Sequence, residues 1–421
     1  MDNRLMDIRY PNLHPQKIDV HHIQPTHWSK TYSTHIQKSV QVCTRCVMDA
    51  CACKIHFDSL GVCHFCKLHD KLERLYPIHD EGQRKLETIL ENTRKRNRGQ
   101  KYDCIIGFSG GRDSTYLLYL LKKKWNLNPL AVHFNDGFDN PVAGENIKQA
   151  VRTLQVDLRT ITSDWRQSKA IRIAFLKASV PNLEVGTDLG IFASLFSVAY
   201  QENIKTILTA HSFRTEGIAP LTWSYLDTRY LKDVLNRFSP IKTDGMEFNN
   251  SCYHLGLGQA VYYSIIKRIH CITPMFYIDY NRMIAEKTIQ DELGWVNPGA
   301  HYFDDLYQSL ISFVYRIKFN IDKRKFNYSA LIRSGQMMRH EALERLKNPY
   351  VIEDPKILDL CIKRLGLNLQ EFESFLKLSP KTFEDYKSYY QVIKLLKIPI
   401  WMASKLHVIP AATYDKFFNC S

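Results

Sequence analysis

The spacing of apolar residues changes character along the 421-residue chain. Between about residues 100 and 210, short apolar runs alternate with longer amphipathic stretches. Cys104–Phe108 has the length of a buried strand, and after a Ser-Gly-Gly turn Thr115–Lys124 carries Leu117, Leu118, Leu120 and Leu121 at helical spacing. Leu130–Phe134, Leu158–Thr162 and Thr206–Thr209 read as further strands. Val142–Leu154, Trp165–Lys177 and Thr187–Gln201 read as the helices between them. This rhythm predicts a doubly wound parallel α/β sheet, with ligands gathering at the carboxyl ends of its strands. Leu68, Leu72, Leu75, Leu86, Ile89 and Leu90 predict helices leading into it. Beyond residue 235 the alternation stops, and Ala260–His270, Tyr280–Leu293, Asp304–Lys318, His340–Leu346, Asp354–Leu365 and Leu369–Leu376 each predict a helix. The expected organisation is an irregular arm (1–38), a cysteine-rich module (39–75), the α/β domain (76–235) and a mainly helical C-terminal region (236–421).

Composition narrows the class. Hydrophobic residues make up 45% of the chain and aromatics 12%, ample for packed cores. No apolar stretch reaches membrane-spanning length and Met1–Tyr10 is polar, so a cytoplasmic protein without membrane attachment is expected. A net charge of +14 suits an anionic partner without choosing among nucleic acid, a membrane surface, ATP and a nucleotide-linked sugar. The basic residues are spread along the chain, which disfavours nucleic acid.

Six of the eleven cysteines fall between positions 43 and 66. Cys43-Thr-Arg-Cys46 and Cys63-His-Phe-Cys66 are two knuckles that can bring four sulfurs to one tetrahedral metal ion. Structural Zn²⁺ is expected at Cys43, Cys46, Cys63 and Cys66, with an iron–sulfur cluster as the alternative. Asp58–Gly61 has the composition of a hairpin connection between them.

The Cys104–Ser114 stretch reads strand, Ser-Gly-Gly turn, helix. Paired glycines permit close backbone approach, and the free N–H groups of the helix start, with the Ser109 and Ser114 hydroxyls, form a nest for phosphate. Neither Gly-x-x-x-x-Gly-Lys-Ser/Thr nor Gly-x-Gly-x-x-Gly is present. Ser-Gly-Gly-x-Asp-Ser after a strand instead resembles the signature of the PP-loop ATP pyrophosphatases, whose fold is of the adenine-nucleotide α-hydrolase kind.

A wider set of motifs resembles the N-acetyl sugar amidotransferases of bacterial surface-polysaccharide synthesis. It comprises the early Cys-x-x-Cys pair, His133–Phe138, Val180-Pro181, Thr215-Glu216-Gly217, Gly294-Trp295, His301-Tyr302, Asp322-Lys323-Arg324 and Ser334-Gly335-Gln336. The resemblance implies that ATP adenylates the acetamido oxygen of a sugar, and that ammonia then displaces AMP to leave an acetamidino sugar for lipopolysaccharide O-antigen or a related glycan. It also implies a separate glutaminase, and a barrel subunit like that of histidine synthesis, as the source of ammonia.

On this reading Ser109, Gly110, Gly111, Arg112, Asp113 and Ser114 hold the polyphosphate with Mg²⁺. Asn135, Asp136 and Gly137 lie where adenine and ribose contacts are expected. Asp113, Glu216 and Asp188 are the candidate catalytic carboxylates, and His211, Thr215 and His301 the candidate substrate contacts. The chain departs from the family pattern at Asn135-Asp136, at Ala210-His211-Ser212, at Leu189 and in a shorter Gly294–His301 loop. The rival readings are a tRNA-thiolating PP-loop enzyme, which needs a catalytic cysteine or cluster beside the ATP site, and a non-catalytic partner protein.

Overall fold

The computed structural model describes residues 40–50, 55–239, 251–298, 305–348, 355–405, 414 and 417–418. The arm at 1–38 and His301 therefore lie outside the described residues. Five strands form one sheet: β1 (Cys104–Gly107), β2 (Pro129–Asn135), β3 (Asp157–Thr162), β4 (Thr206–Leu208) and β5 (His270–Ile272). The order is β3-β2-β1-β4-β5, and every neighbouring pair is parallel. The β1 run has no polar alternation because both of its faces are covered. Cys104 and Ile106 join the core that contains Leu117, Ile147 and Ile289, while Ile105 faces the core of Leu195, Val198 and Ile207.

Helices α1 (His64–Leu75) and α2 (Asp80–Arg96) precede the sheet. The helices α3 (Arg112–Tyr119), α4 (Pro141–Leu154), α5 (Trp165–Ala178) and α6 (Val185–Gln201) lie between β1 and β4, and α7 (Leu221–Ser224) and α8 (Thr228–Phe238) follow. The expected alternation is thus present, with three differences. The α-helix after the glycine turn ends at Tyr119 and passes into a π-helical turn at Leu120–Lys124. The expected helix at Ala260–His270 is instead a short helix, Leu257–Val261, and a π turn, Tyr262–Ile266, with His270 opening β5. Strand and helix therefore continue past residue 235. A three-residue strand closed by Pro274 is too short to show a period of two. Thirdly, Thr228–Phe238 forms an unexpected helix, although Tyr230, Leu231, Val234 and Leu235 recur at helical spacing, and Lys323–Arg333 forms one without a clear apolar signal. The second buries Ser329, Ala330, Leu331 and Arg333, a set dominated by small and charged side chains.

The cysteine knuckles are held by antiparallel bridges, Val42 to Asp49 and Phe57 to Cys63. Between them Asp58 makes the hairpin: its carboxylate accepts from the amides of Leu60 and Val62, both at 2.9 Å, and Gly61 takes φ +75°. All four cysteines are fully buried in the largest core, shared with α5, α8 and the helices Tyr307–Phe319 and Pro355–Arg364.

At the carboxyl end of β2, Asp136 is fixed from three sides. It accepts from Arg172 of α5, from the Thr187 hydroxyl at 2.6 Å and from the Phe138 amide at 3.3 Å. Both partners of the ion pair are almost fully buried. Truncating one partner strands the other charge in the core, which costs about 3–5 kcal/mol. Arg172→Met should lower unfolding stability by that amount in denaturant titration, and adding Asp136→Asn should recover part of it.

Candidate active site

The strand order reverses at β1, with β2 on one side and β4 on the other, so β1 and β4 flank the switch point where doubly wound sheets open their ligand crevice. The residues that follow these two strands are the site. After β1, Gly110 takes φ +76°, and a Cβ there would stand 2.3 Å from the Ala143 carbonyl oxygen. Glycine is required by both conformation and space. The Gly110 carbonyl accepts from the Trp295 indole at 3.0 Å and from Asn146 at 3.3 Å, which fixes the turn against α4. Ser109 and Ser114 face each other, with their hydroxyls 3.2 Å apart, and the Gly111 amide reaches the Ser109 hydroxyl at 3.3 Å. Gly111 is the N-cap of α3, so the first-turn amides and the positive end of the helix dipole meet the crevice. This arrangement fits a polyphosphate.

Arg112 does not reach out toward phosphate as expected. It is buried, donating to Asp113 at 2.9 Å, with Tyr280 at 3.2 Å and Glu286 at 4.0 Å. Tyr280 also donates to Asp113. No signal in the sequence singled out Tyr280, which lies outside every motif and meets Asp113 only through tertiary packing.

After β4, the chain runs through His211 to Glu216. The two side chains are hydrogen bonded, and the Glu216 carboxyl also lies within hydrogen-bonding reach of Asp113. Burial and the neighbouring Asp113 charge raise the Glu216 pKa, while His211 opposes them. Two carboxylates from separate strand ends that cannot both ionise comfortably are what a divalent cation relieves. Thr215 is buried, and its hydroxyl has no partner among the described residues.

The other candidates fall apart from this pair. Asn135 accepts from the Gly137 amide at 2.8 Å, closing a turn. Gly137 takes φ +98° with the Trp165 ring against it, and Asp136 is spent on Arg172. As expected nucleotide contacts, Asn135 and Asp136 are therefore engaged in holding the β2 loop. Asp188, in the first turn of α6, belongs to a second half-buried polar group. There Gln308 donates to Glu184 and Lys323 donates to Gln308 at 2.9 Å. Burial lowers the Lys323 pKa, against the pull of Glu184, Asp188 and Asp305. Leu189 is buried in the large core.

The four-cysteine centre lies off the crevice. Sulfur separations are 3.9 Å for Cys43 to Cys66, and 3.7 Å both for Cys46 to Cys63 and for Cys63 to Cys66. Zn–S bonds of about 2.3 Å in a tetrahedron place sulfurs roughly 3.8 Å apart, so the set fits one ion. In a four-iron cluster each sulfur binds its own iron and the sulfurs stand farther apart. Arg333, absent from the sequence-derived candidates, donates to Cys46 Sγ at 3.3 Å and to Cys66 Sγ at 3.4 Å.

Residues 301–398 match a family model described as the LPS biosynthesis protein WbpG-like, C-terminal domain. This WbpG-like segment includes the Lys323–Arg333 helix that covers the cysteines. An uncharacterized protein of Methanocaldococcus jannaschii is 37% identical over 125 residues, 29% of this chain and 43% of that protein. The chain thus spans less than half the length of the curated relative it matches. Among solved structures, the NH3-dependent NAD synthetase of Campylobacter jejuni aligns with 13% identity and a TM-score of 0.26, over 50% of this chain and 94% of that one. The U34-tRNA thiolase NcsA of Methanococcus maripaludis, solved with its [4Fe-4S] cluster, aligns with 14% identity and a TM-score of 0.29, over 69% and 88%. Among the described residues, no helix is long and apolar enough to cross a membrane.

His133 of β2 links the phosphate turn to the β2 loop, through Phe108 O at 3.0 Å and Asp139 at 2.8 Å. Burial disfavours the charged ring, but the Asp139 carboxylate and the Phe108 carbonyl outweigh it, so the His133 pKa is raised. A raised histidine pKa stabilises the fold fully below the unfolded value of about 6.5 and loses that stabilisation as pH rises through the folded value. The melting-temperature difference between wild type and His133→Asn should therefore be largest at mildly acidic pH and shrink toward alkaline pH.

Proposed function

We propose that this protein is an ATP-dependent, AMP- and pyrophosphate-forming amidotransferase. It would adenylate the acetamido oxygen of an N-acetyl sugar and replace it with ammonia, giving an acetamidino sugar for lipopolysaccharide O-antigen or a related surface glycan. The observation that carries this reading is the meeting of Asp113 and Glu216 at the switch point, directly beside the Ser109–Ser114 turn. The match of residues 301–398 to a lipopolysaccharide-biosynthesis family supports the pathway class.

An amide oxygen is a poor leaving group, and transfer of AMP turns it into a good one. The acetamido oxygen attacks the α-phosphorus, the bond to the pyrophosphate oxygen breaks, and the imidate carbon becomes open to ammonia. Ammonia adds, AMP departs with the former amide oxygen, and a proton is released. The turn amides and the two serine hydroxyls would hold the departing pyrophosphate. Asp113 and Glu216 would hold Mg²⁺, which neutralises charge gathering on the phosphates. His211, hydrogen bonded to Glu216 and partly exposed, would orient that carboxylate and accept the released proton. The Glu184, Asp188, Gln308 and Lys323 group offers donors and acceptors for sugar hydroxyls. Zinc in the four-cysteine site would be structural, since four sulfurs leave no open position. A glutaminase and a barrel-type subunit would supply ammonia, and the working place would be the cytoplasm.

The thiolase reading needs a catalytic cysteine or a cluster beside the ATP site, and the four-cysteine set stands apart from the turn on the knuckles. Cys104 is fully buried within β1, and burial pushes its thiol pKa up, which favours the amidotransferase. Incubation with ATP, Mg²⁺, ammonium and a panel of free and nucleotide-linked N-acetyl sugars should release pyrophosphate and AMP with one sugar only. Asp113→Ala and Glu216→Gln should each cut the rate by about 10²–10³-fold. Pyrophosphate release unaffected by either change would overturn the assignment.

A further inference from the structure

The cysteine centre and the carboxylate pair are joined by four consecutive residues, Arg333 to Gln336. Arg333 is buried, with Nε 3.4 Å from Cys66 Sγ and Nη2 3.3 and 3.9 Å from Cys46 and Cys63 Sγ. The next residue, Ser334, donates its hydroxyl to the Arg214 carbonyl at 2.7 Å, two residues before Glu216. Gln336 grips the other side of the site. Its Nε2 donates to the Tyr280 carbonyl at 3.0 Å, and its Oε1 accepts from the Arg282 amide at 3.1 Å. Tyr280 in turn donates its hydroxyl to Asp113.

The knuckle grips the same loop a second way. Glu73 of α1, the helix that begins inside the second knuckle, takes both arms of Arg214, at 2.8 and 2.6 Å. Arg214 also donates to the carbonyls of Phe276 and Tyr76, each at 2.8 Å. Arg339 then closes the strap, donating to the Cys46 and Cys43 carbonyls at 3.0 and 2.9 Å.

We propose that Arg333–Gln336 is a positioning strap through which the metal-loaded knuckle sets the placement of the Asp113–Glu216 pair, with Arg333 as the coupling residue and Ser334 and Gln336 as the positioning residues. The proposal rests on reading that pair as the site of cation and nucleotide. Four sulfurs around a divalent ion carry excess negative charge, and the guanidinium fork compensates it while fixing its own backbone. Ser334 and Gln336, one and three residues further on, are held with it, and each holds a main-chain carbonyl rather than a side chain. They therefore fix where the loop after β4 and the segment after β5 run. A displacement of about 1 Å at such a pair is enough to separate two carboxylates from a shared cation.

The test uses the full-length zinc-loaded protein and its Ser334→Ala, Gln336→Ala and Arg333→Lys variants, with three readouts. These are zinc content, amide hydrogen exchange in the segments 212–217 and 278–283, and Mg²⁺-dependent ATP affinity. Ser334→Ala and Gln336→Ala should keep one zinc per chain, lose protection respectively in the first and second segment, and weaken Mg²⁺-dependent ATP binding about tenfold. Arg333→Lys should release zinc faster to a chelator and lower protection in both segments together. Protection and affinity equal to wild type in the Ser334 and Gln336 variants would overturn the strap. Loss of protection as expected, in a wild-type protein that binds no Mg²⁺–ATP, would support the strap and overturn the reading of the site.

Discussion

A guanidinium taken out of water is costly unless most of its N–H groups find acceptors, and among the described residues four buried arginines each tie a loop or a helix end in place. Arg112, Arg172, Arg214 and Arg333 are each 9% exposed or less. Arg112 ties the start of α3 to Asp113 and Tyr280. Arg172 holds the β2 loop through Asp136. Arg214 fastens the loop after β4 to Glu73 and two carbonyls, and Arg333 closes over the cysteine sulfurs. Each ion pair is a weak source of net stability, because desolvation offsets much of the attraction. Its value lies in geometry: a planar fork with fixed donors admits one arrangement of its acceptors.

That geometry explains how a crevice made of loops keeps its shape. The strands end at Gly107 and Leu208, and the residues with chemistry to offer begin after them. The glycine turn is fixed by Trp295 and Asn146 on its carbonyl side, which leaves the amide side toward the crevice. Glu216 sits on a loop clamped from the knuckle and from Ser334, and Asp113 is steadied by Tyr280. Burial, and beside it the Asp113 charge, raise the Glu216 pKa, an electrostatic conflict that a divalent cation would relieve.

The sheet was legible in the chain because buried parallel strands write themselves as short apolar runs between helical periods, as Cys104–Phe108 and Leu130–Phe134 do. The turn and the knuckles were legible because their backbone geometry demands particular residues at fixed spacing. What was hidden has a common physical cause. The strand His270–Ile272 is too short for periodicity, and the helix Lys323–Arg333 buries charge and small side chains in place of an apolar stripe. Tyr280 and Arg333 act across 167 and up to 287 residues of sequence, a separation at which spacing carries no signal. Asp136 misled for the opposite reason: its position at a strand end fits a ligand contact, and only Arg172 and Thr187 reveal where its carboxylate is spent.

The positions at which the chain departs from the sugar amidotransferase pattern do not weigh equally. Leu189 is buried in the large core, so its change is one of packing. Asn135 closes a turn onto the Gly137 amide, a task that a short side-chain oxygen performs whether it belongs to an amide or a carboxylate. His211 alone stands in the crevice, hydrogen bonded to Glu216. An imidazole there is hydrogen bonded to the carboxyl, so this substitution bears on the proposed cation site, while the Ser109–Ser114 turn is built from residues that match the pattern throughout. A difference in chemistry between this chain and the proteins it resembles would therefore arise at His211, on the β4 side of the crevice, and not in how the turn holds phosphate.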